Sequence, residues 1–383
     1  MNIKKALLLI LAFSVTLSGC NRKSNENLAA ENNSETMRAI WISYYDYDFR
    51  DFTKNQVESK VEDMVDNISE ARFNNIFLHV RANADAIYPS EFFPFSERLG
   101  KNPDYDLLKI FINKAHEKNI KIHAWINPYR ITTQSDDITV LPETHIARKI
   151  SDSVISYAGG LYFNPGSIVS QKLILDGVEE ILVNYNIDGI HFDDYFYPVS
   201  DVEFDIGYYE AYRKSAEIPL EHGDWRVANI SALISSVKSL VSKYGKVFGI
   251  SPTAEIEGTY LQKNGYANIH EWIKSDSYID YVIPQIYWGF EYPDEQYRFD
   301  NLTKVWNDLL KGSSVNLYIG LAAYKIGTED YSDEWIVNHD ILARQVGLLK
   351  MLNINGYSVF SYSAFFGNES ANTAERINYL DSI

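Results

Sequence analysis

The chain predicts a closed (β/α)8 barrel, the TIM-barrel arrangement, built as one catalytic domain with elaborated loops after its strands. Three observations carry this. Eight short strand-like segments recur along the sequence. Stretches with helical spacing of apolar residues separate most of them, and strands alternating with helices imply a parallel sheet. No glycine-rich phosphate loop follows the first strand, which counts against an open dinucleotide-binding sheet.

The strand segments are, in order, RAIWISY (38–44), NIFLHVR (75–81), KIHAWIN (121–127), GIHFD (189–193), VFGISPT (247–253), YVIPQIY (281–287), LYIGLAA (317–323) and YSVFSY (357–362). Helices are expected over 55–72, 106–118, 170–185, 230–244, 269–275, 302–310 and 335–352. The connections 129–167 and 195–229 are long for βα loops. Long loops on the catalytic rim shape substrate clefts.

The N-terminus has a separate role. Residues 1–19 have a basic start, an apolar core from Ala6 to Val15 and small residues before Cys20. That order marks a secretory signal, and the apolar run is too short for a comfortable membrane span. Leu17-Ser18-Gly19-Cys20 resembles a bacterial lipobox, which makes Cys20 the expected lipidated residue. Residues 20–36 are polar and read as a flexible tether; residues 37–383 hold the barrel. Cys20 is the one cysteine of the chain, so the barrel has neither disulfides nor a thiolate metal site.

The formal net charge is -17, which disfavours nucleic acid and, unless a local basic site intervenes, anionic polymers. Aromatic residues make up 14% of the chain, with 28 Tyr. Most of these rings will pack the core, and the remainder suit a cleft that stacks sugar rings.

Alternation along each strand sorts side chains to the helix side or to the barrel axis. In the fourth strand the apolar Ile190 and Phe192 take the helix side, so His191 and Asp193 face inward. Asp193 then stands at the C-terminal end, where barrel active sites are built. Asp194 points away or sits on the loop. The same alternation turns His79 and Arg81 inward, with Asp85 and Tyr88 following on the loop. It also turns in His123, Trp125 and Asn127, followed by Tyr129 and Arg130. Gln285, Tyr287 and Tyr324 face in, and Trp288 and Glu291 sit on the sixth loop. Cleaving a glycosidic bond calls for two carboxyl groups in different protonation states. Asp193 is the expected ionised partner, lowered by Arg81 or His191. Glu255, Glu257 or Glu291 is the expected acid. His79, His123 and His191 match no zinc-ligand spacing, and neither metal nor cofactor is expected.

DGIHFDDYFYP (188–198), PQIYWGFE (284–291), IHAWINPYR (122–130) and FNNIFLHVRANADAIYPSEFFPFS (73–96) together resemble the glycoside-hydrolase-like family ten. The resemblance implies a (β/α)8 barrel acting on glycans, in particular bacterial cell-wall strands freed of their peptides. It also implies cleft roles for Arg81, Asp85, Tyr88, Asn127, His191, Asp193, Asp194, Tyr195, Gln285 and Tyr287. The chain departs from the family pattern after FGISP, where TAEIE (253–257) stands in place of an uncharged loop.

The expectation is therefore an extracytoplasmic, membrane-tethered hydrolase of polysaccharide. The alternatives are a glycan-binding lipoprotein without turnover and a metal-dependent deacetylase. Replacing Cys20 (Cys20→Ser) should move the protein from the membrane fraction to the soluble one and abolish incorporation of labelled fatty acid.

Overall fold

Nine parallel strand segments form one sheet, and two of them are halves of a single interrupted strand. The segments are β1 (Met37–Ile42), β2 (Asn75–Arg81), β3 (Lys121–Ile126), β4 (Gly189–Phe192) and β5 (Val247–Ile250), followed by β6 (Tyr281–Val282), β7 (Asn316–Leu317), β8 (Ile319–Ala322) and β9 (Gly356–Phe360). The half-strand β7 pairs with β6 and β8 pairs with β9, with only Tyr318 between the halves. A bridge from Gln285 to Gly320 continues the seam, so the expected (β/α)8 ring is present. The computed structural model describes residues 35–101, 103–256 and 265–383. The signal segment, Cys20 and most of the tether lie outside the described residues, as does Glu257. Residues Glu35–Ile383 group as one compact unit. Among the described residues no helix is long and apolar enough to cross a membrane.

The alternation works as the sequence implies. Ile40, Ile76, Leu78, Ile122, Ile190 and Phe248 pack outward in the main core shared with the helices. Ala39, Trp41, Phe77, Trp125, Tyr281 and Ile283 form a separate cluster inside the barrel. Rings fill this interior because glycines face them. A Cβ at Gly249 would come within 2.1 Å of the Tyr281 ring, and one at Gly189 within 2.4 Å of His123 Nδ1.

One strand breaks the rule. The pairing of β2 with β3 shifts register between His79 and Arg81. A bulge adds a residue to one strand and reverses the facing of whatever follows. Arg81 therefore pairs opposite the outward-facing Ile126 and leaves the barrel axis. Its guanidinium lies 3.8 Å over the Phe93 ring, against Gly177 of the helix Ile168–Asn184. Tyr88 is buried beside it. The expectation that Arg81 lines the cleft is thus overturned by one inserted residue, and Tyr88, buried beside it, is likewise absent from the cavity wall.

The helices follow local signals. Thr53 and Gln56 form a capping box before Lys54–Glu70, whose Val57, Val61, Met64, Val65 and Ile68 are buried on one face. Asp106 caps Leu107–Glu117, and Ser167 caps Ile168–Asn184. The expected helix over 335–352 is split into Glu334–Val337 and Ile341–Met351 by the polar Asn338, His339 and Asp340. The helix expected from 230 begins earlier, at His222. The long loop after β3 carries its own antiparallel sheet of Arg130–Thr132, Gly160–Phe163 and Val154–Tyr157. The loop after β4 is anchored by the buried Arg226, which pairs with Asp205 and donates to the Ser200 and Asp201 carbonyls.

Replacing Gly249 (Gly249→Ala) should destabilise the fold by about 1–3 kcal/mol, because a methyl group is forced against Tyr281. Urea unfolding would show a lower midpoint, with Gly207→Ala (Gly207 has nothing within 4 Å and no left-handed backbone) as the control for the glycine change itself.

Candidate active site

A cavity of about 390 Å³ opens where the strands end. Of its fifteen lining residues eight are Trp, Tyr or Phe: Trp41, Tyr44, Tyr45, Trp125, Tyr195, Tyr287, Tyr324 and Phe360. The others are Ser43, His79, Arg130, Asp193, Asp194, Ser251 and Gln285. An aromatic wall with a few convergent polar groups is the usual make-up of a small-molecule site. A larger groove of about 1310 Å³ lies by residues 89–101 and the helix Ile168–Asn184. It contains none of the strand-end residues, and its Glu180 is taken by Ser90 Oγ and the Glu91 N–H. The chemistry belongs to the smaller cavity.

Asp193 and Asp194 both border that cavity, although they are chain neighbours. Strand β4 stops at Phe192, and the chain turns at once: the Phe196 N–H donates to the Asp194 carbonyl at 3.0 Å. Side chains diverge only while the strand stays extended. The Tyr195 N–H donates to Asp193 Oδ1 at 3.0 Å, and Asn127 Nδ2 donates to Asp193 Oδ2. Arg130 donates to Asn127 Oδ1 at 2.9 Å and to the Ala82 carbonyl at 2.8 Å. His79 Nε2 meets the same Asn127 oxygen, and its ring stacks on Trp125 at 3.7 Å. Burial holds the His79 imidazole neutral, with the Arg130 charge adding to the effect.

The two carboxyls are not equivalent. Burial raises Asp193 above the ordinary carboxylate range, against the Tyr195 N–H and Asn127, which favour its charged form. Burial, then the Asp193 charge, push Asp194 up to about 7, with Gln285 and Arg130 opposing. Asp193 has the donors of an anion; Asp194 has the surroundings of an acid that keeps its proton.

Asp193, Arg130, Tyr195, Gln285, Tyr287 and Tyr324 thus stand together as the sequence implies, and Asp194, which strand alternation alone turns away or leaves on the loop, joins them on the cavity wall. Asn127 and His191 sit beneath, His191 with Nε2 at 3.0 Å from Ser251 Oγ and Nδ1 at 3.3 Å from Tyr281 Oη. Asp85 borders an adjoining cleft instead. Tyr129 is buried in the main core. Trp288 stacks on Tyr297 away from the cavity, and Glu291 is an exposed loop residue. Glu255 is absent from the cavity wall. No glutamate among the described residues borders the cavity; the second carboxyl on its wall is that of Asp194. Trp41, Ser43, Tyr44, Tyr45 and Phe360 were missed, although the alternation Ala39-Trp41-Ser43 in the first strand would have yielded two of them.

The glycosyl hydrolase-like 10 family matches residues 36–337. The chain belongs to that family. It is 35% identical over 353 residues to glycosyl hydrolase YngK of Bacillus subtilis (strain 168), covering 84% of this chain and 68% of that protein. It is 27% identical over 427 residues to glycosyl hydrolase DigH of Escherichia coli (strain K12), covering 98% and 95%. Among solved structures, the glycoside hydrolase domain of PgaB (BpsB) from Bordetella bronchiseptica superposes with a TM-score of 0.59 at 14% identity, over 90% of this chain and 99% of that one. The catalytic domain of a Paenibacillus polymyxa β-amylase gives 0.53 at 10%, over 90% and 98%. These likenesses show the barrel fold.

In this glycosyl hydrolase-like 10 protein the raised Asp194 has a thermodynamic consequence. The folded carboxyl keeps its proton to about pH 7, whereas the ordinary value is 3.8. Between those values the folded state binds the extra proton, so its contribution to stability is full at low pH and is lost as pH rises toward 7. Replacing Asp194 (Asp194→Asn) should raise the Tm by a few degrees at pH 8, and the gain should vanish as pH falls to about 4. Thermal unfolding across that range checks it.

Proposed function

We propose that this protein hydrolyses a glycan of 2-acetamido sugars, with the substrate's own acetamido oxygen as nucleophile. The observation that carries this is the adjacency of Asp193 and Asp194 on one turn at the cavity. Two carboxyls that flank an anomeric carbon stand roughly 5–9.5 Å apart on opposed faces. Neighbours on a tight turn approach from one side. That placement suits substrate-assisted hydrolysis, in which no carboxylate need attack.

The Asp194 carboxyl gives its proton to the glycosidic oxygen as the C1–O bond breaks. The acetamido carbonyl oxygen closes on C1 while the Asp193 carboxylate accepts a hydrogen bond from the amide N–H and balances its growing positive charge. Water then attacks C1, gives its proton to the Asp194 carboxylate and opens the ring, so the acetamido group and the acid are both restored. Attack twice at C1 leaves its configuration retained. Burial keeps the Tyr287 hydroxyl protonated beside the pair, as a donor to the substrate.

Cell-wall glycan strands consist of such sugars, and the family membership supports that substrate. A signal peptide and a lipid at Cys20 would place the barrel outside the cytoplasm, tethered to the membrane where that polymer lies. The aromatic wall supplies faces for pyranose rings.

On peptide-free strands, Asp194→Asn should lower kcat by about 10²–10⁴ with little change in KM. Asp193→Asn should do likewise. The alkaline limb of kcat in the unmodified protein should fall near pH 7, where Asp194 loses its proton. Chemically de-N-acetylated strands should resist cleavage, and NMR of fresh product should show the retained anomer. Equal cleavage of de-N-acetylated strands, or an inverted product, would overturn the scheme. Binding without turnover would make the barrel a glycan-binding module.

A further inference from the structure

The loops after β6 and β8 carry a cluster of rings outside the catalytic cavity. Trp288 and Tyr297 stack at 5.5 Å with their planes 24° apart, and both are rooted against the main core. Tyr292 stands edge-on to both, at 6.3 and 6.0 Å. Tyr331 lies 5.1 Å from Tyr292, again edge-on, and is 79% exposed. None of the four borders the cavity at Asp193 and Asp194. The rings form a stepped surface that begins in the core and ends in solvent.

These rings are braced. The buried Glu334 carboxylate accepts from the Phe290 N–H at 2.9 Å and the Glu291 N–H at 3.0 Å, which ties one loop to the other. Arg298 Nε donates to the Tyr292 carbonyl at 2.9 Å. Lys325 and Asp330, both largely buried, pair at 2.6 Å, and the Gly327 N–H donates to the Trp335 carbonyl at 2.8 Å. So exposed a ring as Tyr331 adds little to the fold by burial. On a braced loop it loses little freedom when a ligand settles on it.

Charge selects the ligand. Segments 288–298 and 325–334 carry seven acidic residues against two basic ones. Both basic ones are paired, Arg298 with Glu295 and Lys325 with Asp330. A carboxylate or phosphate group is repelled there, whereas sugar hydroxyls can donate to the acidic side chains. The negative face of an aromatic ring suits the C–H face of a pyranose. The same two loops carry Tyr287 and Tyr324 to the cavity wall, so rings and cavity share one scaffold.

We propose that Trp288, Tyr292, Tyr297 and Tyr331 form a second binding site, outside the catalytic cavity, for uncharged pyranose residues of a polysaccharide. In a strand of 2-acetamido sugars, the residues without an acidic substituent fit it. Its use in holding a polymer for cleavage rests on the reading of the cavity as a hydrolase site; the binding itself does not.

Calorimetric titration of Asp194→Asn protein with an N-acetylglucosamine hexamer should show two binding events per chain. Tyr331→Asn suits the left-handed backbone at that position (φ 35°) and removes the ring. It should weaken one event at least about tenfold, about 1.4 kcal/mol, with the Tm unchanged. Tyr292→Ala should weaken the same event, and Tyr331→Phe should preserve it. A galacturonate hexamer should bind at the rings at least about tenfold more weakly than the neutral one. A single event lost in Tyr331→Asn keeps this site and removes the cavity as a glycan site; a single event that survives both ring variants does the reverse. Two events that both survive them, equal affinity of the rings for the acidic hexamer, or no binding at all would overturn the site. So would a dimer of the free protein, seen by sedimentation and dissolved by Tyr331→Asn, since the rings would then belong to contact with a second copy of the chain.

Discussion

The side-chain amide of Asn127 is the contact on which the site depends. Its nitrogen donates to Asp193, and its oxygen meets both His79 Nε2 and the Arg130 guanidinium. One planar group thereby fixes the orientation of the Asp193 carboxyl and the position of the nearest cation. It also holds the buried histidine to one hydrogen-bonding role, with the ring proton on Nε2 if the amide oxygen is the acceptor. A buried network of this kind is rigid only when its members are paired, since an unpaired polar group at such depth costs more than a bond returns.

Below this network the barrel must be filled, and the filling decides what the mouth can be. Trp41, Phe77, Trp125 and Tyr281 occupy the axis, with room made by glycines across from them. His123 and His191 share the Tyr281 hydroxyl at 3.0 and 3.3 Å. Burial lowers the pKa of both rings, to about 4 for His123. The layer is thus uncharged as well as dense. It forms a dry floor, and that floor is why a carboxyl resting on it is pushed toward its protonated form. The acid in the site is in this sense a product of the core.

The bulge at His79 to Arg81 has the opposite consequence. It removes an arginine from the axis and lodges it against Phe93 and the helix Ile168–Asn184. The positive charge near the carboxylates comes instead from Arg130, at the start of the antiparallel sheet in the loop after β3. Charge at the mouth is set by loops, which can vary without disturbing the ring of strands.

The sequence by itself determined the ring of parallel strands, the facing of most strand residues and the place of Asp193, because a period of two is a local property that each strand carries unaided. It also disclosed Asn127, Gln285, Tyr287 and Tyr324 by the same count. The tertiary structure alone decided three matters. An inserted residue in β2 reversed Arg81, and bulges leave no mark in a pattern of apolar residues. A turn directly after Phe192 brought Asp194 beside Asp193, where strand geometry alone sends neighbours apart. Tyr44 and Arg98 met across 54 positions of chain, a contact that depends on how two loops cross rather than on either segment. Periodicity is written residue by residue, whereas the pairing of loops follows from packing that no single segment contains.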